Sequence, residues 1–410
     1  MEISVVILGM AGVVGFYMAW NIGANDVANS MATAVGARAI TLKQAIVIAG
    51  VLNVLGAILV GKHVTSTVSK GVVSPDAVGD PEILMIGMLA TLLAAGFWVT
   101  MATWKGMPVS TTHSIIGALV GFGLVSTGTS GIDWKLLTEV VASWVVSPVV
   151  GALLSFGVFH IIIKTIFNSK DPLRSAYLMS PLLIGSTFFI ISAALLLKTE
   201  AGTYLFGGEF GPALMASALV GLIAAVAGLG VMHGLFRRVS GYEGVETFFR
   251  RLQILTSCYV AFSHGANDVA NAIGPLSTIF AVHGKETIPA EVQIPLWILA
   301  LGGFGIMVGT MTWGYRVIKT VAFKITDLTN TRGFSVDFGV ATTVLMASKL
   351  GLPVSTTHTA IGAVVGVGLA GGLAGVDLRI LRKIVVSWVI TLPVASITSA
   401  LLFVGMMSFV

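Results

Sequence analysis

Gly23-Ala24-Asn25-Asp26-Val27-Ala28-Asn29-Ser30 and Gly265-Ala266-Asn267-Asp268-Val269-Ala270-Asn271-Ala272 are one stretch written twice, differing only in the last residue. Each copy sets one Asp and two Asn inside a long apolar run. A carboxylate at bilayer depth costs several kcal/mol unless it meets a counter-charge or lines a wet cavity, so an intramembrane Asp marks a pathway by default. Two copies suggest one site assembled from two halves.

The surrounding composition fixes the solvent. Of 410 residues, 56% are hydrophobic and 10% charged, with a mean hydropathy of +0.96, far from the usage of soluble domains. The chain reads as an all-α integral membrane protein of the cell (inner) membrane. The first apolar run starts at Ile3 with no Lys or Arg ahead of it, so it lacks the basic region of a cleaved signal peptide and is expected to stay as a span. The single Cys258 can form no internal disulfide and is assigned to packing. The net charge of +5 is a loop-topology signal rather than a nucleic-acid footprint.

Apolar windows fall near 3–35, 42–61, 83–103, 107–127, 134–163, 177–197, 211–235, 252–282, 293–312, 335–350, 353–372 and 384–407. That makes about twelve transmembrane segments, each near the ~20 residues needed to cross a bilayer. Pro108 and Pro353 interrupt two of them and mark candidate re-entrant hairpins. The repeat extends past the opening motif. Met107-Pro-Val-Ser-Thr-Thr-His113 returns as Leu352-Pro-Val-Ser-Thr-Thr-His358, and the stretch from Asp133 to Pro148 returns as Asp377 to Pro393. The offsets of 242, 245 and 244 positions mean that the internal spacing of an ancestral unit is kept.

Loop charge orients the halves. The first-half loop with Lys62, Lys70, Asp76, Asp80 and Glu82 is slightly acidic, whereas its partner with Arg316, Lys319, Lys324, Asp327 and Arg332 is strongly basic. Arg38 and Lys43 match a loop bearing Lys285, Glu286 and Glu291, and Asp133 with Lys135 matches Asp377, Arg379, Arg382 and Lys383. Under the positive-inside rule the two repeats are expected to have inverted topology, with both termini extracytoplasmic and broken or re-entrant helices meeting at the bilayer midplane. The expected division is a first repeat over 1–163, a linking helical hairpin (177–235) within 164–251, flanked by basic segments, and a second repeat over 252–410.

Pro-Val-Ser-Thr-Thr-His can open a half-helix, with Pro in the first turn and Ser or Thr at the cap. A helix N-terminus attracts oxyanions, and Ser110, Thr111 and Thr112 with Ser355, Thr356 and Thr357 add hydroxyl donors. Two such ends make a cradle for a small tetrahedral oxyanion. Asn25, Asp26 and Asn29, with Asn267, Asp268 and Asn271, supply the oxygen ligands that a hard cation such as Na⁺ prefers; the same carboxylates could instead carry protons. Each motif also has a plain structural explanation, the Ser/Thr runs as interhelical packing and the Asn-Asp runs as turns. His113, His264 and His358 abut the motifs and are either proton carriers or hydrogen-bonded core residues, while Trp144 and Trp388 read as packing or belt residues.

At these residues the sequence resembles the inorganic phosphate transporter (PiT) family, of prokaryotic type. The likeness is carried by both Gly-Ala-Asn-Asp-Val-Ala-Asn copies, both Pro-Val-Ser-Thr-Thr-His copies and the stretch from Gly314 through Thr331-Arg-Gly-Phe to His358. It implies a secondary transporter of inorganic phosphate, driven by Na⁺ in some members and H⁺ in others, with an inverted-repeat fold, usually as a homodimer and with no cofactor. It also implies that Asp26 and Asp268 match essential acidic positions and that Ser110–Thr112 and Ser355–Thr357 match the substrate motif. Asn53 stands where eukaryotic relatives carry Glu, so that carboxylate's role does not carry over; the long hydrophilic domain of animal members is replaced by a short loop around Arg237 to Arg251. Some bacterial relatives carry sulfate. The expected function is thus Na⁺-coupled phosphate import by alternating access, not enzymatic, with inorganic phosphate, Na⁺ and lipid as partners. The alternatives are an H⁺-coupled phosphate or sulfate permease, an anion channel, and an intramembrane hydrolase using Asp26, Ser110 and His113.

Overall fold

The computed structural model describes residues 2–68, 72–198, 200–236, 241–289, 292–349, 354–372 and 375–409. Lys70, Arg237, Glu291, Leu352 and Pro353 lie outside them. The described chain is helical: α1 (Glu2–Asp26), α2 (Ala28–Gly36), α3 (Leu42–Val68), α4 (Pro75–Val78), α5 (Pro81–Trp104), α6 (Thr111–Thr127), α7 (Trp134–Ile162) and α8 (Pro172–Lys198). It continues through α9 (Glu200–Phe206), α10 (Phe210–Phe236), α11 (Gly241–Asp268), α12 (Ala270–Val282), α13 (Leu296–Lys324), α14 (Asn330–Lys349), α15 (Thr356–Ala370) and α16 (Leu378–Met407). Helices satisfy their own backbone groups, which is what an apolar solvent demands.

Eight of these, α3, α5, α6, α7, α8, α10, α13 and α16, are long and apolar enough among the described residues to cross a membrane. The remaining apolar windows of the sequence fall on interrupted, more polar or shorter helices. α1 with α2 and α11 with α12 form two interrupted rods, α14 carries Arg332 and Asp337, and α15 is a short apolar helix of 15 residues. Helix starts at the surface follow ordinary capping: Asp80, Asp133 and Asp377 accept from Glu82 N, Leu136 N and Ile380 N at 2.8, 2.9 and 3.1 Å.

The helices pack in exchanged pairs. α1 lies along α13 and α11 along α3; α7 lies along α15 and α16 along α6; α5 touches α6 and α14 touches α15. The rod ends cross over in the same way, α1 against α12 and α11 against α2. The α1–α13, α11–α3, α7–α15 and α16–α6 pairs thus join the two halves of the chain, while α5 on α6 and α14 on α15 pack within one half. α8 packs on α10, and through α11 and α14 this hairpin is joined to the rest, with Phe248, Phe249 and Phe334 buried beneath it.

The interruptions are slight. Val27 and Val269 each have helical torsions (φ −55° with ψ −25° and −31°), so the chain turns at one residue and resumes. What brings these turns to the centre is close backbone approach. A Cβ on Gly23 would meet the carbonyl of Ile306 and one on Gly265 the carbonyl of Asn53, so α1 on α13 and α11 on α3 are seated backbone to backbone, as small residues allow in membranes.

Gly23→Ala and Gly265→Ala should each destabilise the protein by ~1–3 kcal/mol through overpacking, read as a lower unfolding temperature in detergent. Gly157→Ala, where nothing lies within 4 Å of the added Cβ, should leave that temperature unchanged or raise it.

Candidate functional site

Asp26 and Asp268 sit on the last residues of α1 and α11 and are each 1% exposed. Facing them are the first turns of α6 and α15. Ser110 and Ser355 are the N-caps of those helices, accepting from His113 N and His358 N at 3.2 Å each. Pro108 stands two residues before its cap, in the extended lead-in rather than in the first helical turn; its fixed φ and the restriction on its predecessor suit that segment. The two serines therefore shape the helix ends, and the threonines carry the side-chain contacts.

Thr111 Oγ1 donates to Asp26 Oδ2 at 2.6 Å, and Thr357 Oγ1 reaches Asp26 Oδ1 at 3.5 Å. Thr356 Oγ1 donates to Asp268 Oδ2 at 3.1 Å. The Asn residues cross between halves. Asn29 Nδ2 donates to Thr357 Oγ1 at 2.9 Å, and Asn271 Nδ2 donates to Thr112 Oγ1 at 3.1 Å and Thr111 Oγ1 at 3.3 Å. Each turn thus holds the hydroxyl cluster of the opposite half as well as its own.

The remaining two Asn differ. Asn25 spends both amide atoms on the segment before α6: Nδ2 donates to Thr103 Oγ1 (2.8 Å) and the Met107 carbonyl (3.0 Å), and Oδ1 accepts from Val109 N (3.0 Å). These bonds pin that segment to the α1 turn. Asn267 Nδ2 donates to Asp268 Oδ1 at 2.8 Å, at the acid itself.

The three histidines separate. His264 Nε2 lies 3.0 Å from Asp268 Oδ2 and 4.0 Å from Asp26 Oδ2. Its Nδ1 is 3.0 Å from Asn53 Oδ1, and an amide oxygen only accepts, so Nδ1 carries a hydrogen. Asp26, His264 and Asp268 present ligand atoms within 4.8 Å of one another, a cluster able to hold a cation. His113 and His358 instead stack on Trp144 and Trp388 with ring centroids 3.4 and 3.7 Å apart, and touch each other at 4.2 Å. His358 Nδ1 donates to the Trp144 carbonyl at 3.1 Å. They are core residues behind the helix ends. The triad of Asp26, Ser110 and His113 that the alternative hydrolase reading requires does not assemble, because Asp26 is engaged by Thr111, Ser110 by a backbone N–H and the His113 ring by Trp144.

Asn53 was legible only as a substitution; its position beside His264 needed the fold. Asp337 on α14 belongs to neither duplicated motif. Buried at 1% exposure, it accepts from Thr33 Oγ1 (2.8 Å), Thr256 Oγ1 (3.3 Å) and Ser257 Oγ (2.5 Å), and among the described residues no basic side chain pairs with it. Its signal was an Asp within the apolar window near 335–350, the same signal that drew attention to Asp26.

A cavity of about 20 Å³ opens beside the cluster, lined in part by Asn29, Ser263, His264, Asn267 and Thr356. That is room for about one water.

Fold and centre together define a helical membrane protein with a duplicated polar core. Residues 22–399 match the phosphate transporter family, and the chain belongs to it. It is 51% identical over 391 residues to a Thermococcus kodakarensis protein named a phosphate permease, covering 95% of both chains. It is 41% identical over 435 residues to inorganic phosphate transporter 2-1, chloroplastic, of Arabidopsis thaliana, covering 97% of this chain and 72% of that one. A solved structure of a sodium-dependent phosphate transporter superposes with a TM-score of 0.91 at 46% identity, covering 99% of this chain and 100% of the other. With these relatives the apolar helices make the chain an integral membrane protein of a family of transporters rather than enzymes.

Asn25→Ala should leave the Val109 N–H and Met107 carbonyl unpaired in a buried setting, costing ~2–3 kcal/mol. The checking measurement is thermal unfolding in detergent, with Asn267→Ala expected to cost less because its partner is a carboxylate already held by Thr356 and His264.

Proposed function

We propose that the chain imports inorganic phosphate together with Na⁺ by alternating access. The observation that carries this reading is the crossed arrangement of Asn29 on Thr357 and Asn271 on Thr112 around two buried carboxylates. An anion at the Thr111–Thr112 and Thr356–Thr357 helix ends would meet N-terminal dipoles and hydroxyl donors. Na⁺ beside Asp26 and Asp268, with Asn29, Asn267 and Asn271 as neutral ligands, would cancel charge on both sides. Oxygen donors suit a hard cation. In this reading the hydroxyls now spent on carboxylates turn to the oxyanion when Na⁺ takes their place. The small cavity favours an occluded arrangement that opens to one side at a time, with repeats of inverted topology, termini outside and a homodimer as the working assembly.

A second reading has one specific observation behind it. His264 lies between Asp26 and Asp268 and could relay H⁺ in place of Na⁺. Uptake at fixed pH with Na⁺ replaced by choline separates the two, since Na⁺ coupling requires uptake to collapse and H⁺ coupling requires it to persist.

In proteoliposomes with an inward Na⁺ gradient, the wild type should accumulate ³²P-phosphate above its equilibrium level. Asp26→Asn and Asp268→Asn should each lower that uptake at least ~100-fold, on the scale of losing one buried charge interaction of ~3 kcal/mol. Equilibration without accumulation would indicate a channel, and wild-type uptake in both variants would remove the carboxylates from the mechanism.

A further inference from the structure

A groove between α5 and α16 carries chemistry that the central site does not use. It encloses about 650 Å³ and is lined by Phe97, Trp98, Met101, Val386, Ile390 and Val394, with Lys105, Arg379, Arg382 and Lys383 among the other lining residues. The apolar residues recur at helical spacing on one face of each helix. The cations belong to the end of α5 and the first two turns of α16, so they gather at one end of the groove. All four are exposed, and among the described residues none of their side chains has a hydrogen-bond or ion-pair partner. The nearby acid, Asp377, accepts from Arg379 N and Ile380 N and caps α16, so four positive charges meet one negative charge.

The duplication does not account for this. The matching turns of α7, reached from Asp133, carry Lys135 and Glu139 and so no excess of positive charge. An apolar floor facing lipid, with Phe97 52% and Val386 48% exposed, and a cationic mouth where the helix enters the headgroup region match an amphiphile with an anionic head. Basic pockets between membrane helices at the headgroup level recognise anionic phospholipids in this way, and the long side chains reach the phosphate while their stems cover apolar surface.

We propose that this groove binds one anionic phospholipid, its phosphate headgroup held by Lys105, Arg379, Arg382 and Lys383 and an acyl chain laid along Phe97, Met101, Val386 and Ile390. The site is separate from the carboxylate cluster and does not depend on which cation drives transport.

The test is native mass spectrometry of the purified full chain, titrated with phosphatidylglycerol or with phosphatidylcholine of the same acyl chains, with inorganic phosphate as a competitor. The wild type should retain one phosphatidylglycerol on the order of tenfold more tightly than phosphatidylcholine, as expected for loss of one or two close cation contacts. Arg382→Gln with Lys383→Gln should abolish that preference, Arg382→Lys with Lys383→Arg should keep it, and Val386→Trp, which fills the groove, should release the bound lipid. Thermal unfolding of each variant reports that it is folded. Equal retention of the two lipids overturns the proposal, as does a preference that survives the double Gln variant. Displacement of the lipid by millimolar inorganic phosphate would make the cations a free-anion site, and a changed number of protomers in Val386→Trp with lipid retention intact would assign the face to a second copy of the chain; either result also overturns it.

Discussion

Two carboxylates buried side by side in an apolar bundle are the constraint from which the rest of the architecture follows. Asp26 and Asp268 sit with His264 between them and are each 1% exposed, and buried charges persist only when donors or counter-charges surround them. Neither half of the chain can supply all of these. Asp26 needs Thr111 from α6 and Thr357 from α15, and the threonines are in turn held by Asn271 and Asn29 from opposite turns. The polar centre exists only where the halves meet. This accounts for the exchanged helix pairs and for glycines at Gly23 and Gly265, where anything larger would push the turns away from their partners.

In the proposed reading, the same economy is what makes the centre responsive to ions. The hydroxyl groups that now donate to carboxylates are the groups that a tetrahedral anion would require, and a cation that took over the carboxylates would release them. Charge neutrality in a low-dielectric site couples the two events, because each ion dehydrates at lower cost when the other is present. The single-residue turns at Val27 and Val269 suit this behaviour. They interrupt the α1 and α11 rods enough to aim the Asn and Asp side chains inward, at the cost of a single residue in each rod.

Much of this was legible in the sequence because the polar residues contrast with an apolar background. The duplicated Gly-Ala-Asn-Asp-Val-Ala-Asn and Pro-Val-Ser-Thr-Thr-His motifs named the acids and the threonines, and the structure brings them together. What was not legible depends on contacts across hundreds of residues. Three histidines next to similar motifs look alike in one dimension, yet His264 faces the acids while His113 and His358 stack on Trp144 and Trp388. Asn25 and Asn267 occupy equivalent positions in the repeat, but Asn25 is taken by Val109 and Met107 because the lead-in to α6 passes beside it. Ser110 and Ser355 proved to be caps because cap and donor roles share one residue type. Asp337 lacked a repeat partner and so escaped an argument built on duplication. About twelve windows stand in the sequence, and among the described residues eight helices are long and apolar enough to span, the other windows falling on interrupted, short or more polar helices such as α15 and α14.

Mutual charge compensation where the two halves meet is tested most directly by phosphate affinity of the purified protein, measured by calorimetry as Na⁺ replaces choline at constant ionic strength and pH. Linkage makes the coupling reciprocal. Phosphate binding that tightens progressively with Na⁺, together with Na⁺ binding that tightens with phosphate, is the predicted result. A phosphate affinity that is the same in Na⁺ and in choline would contradict the account.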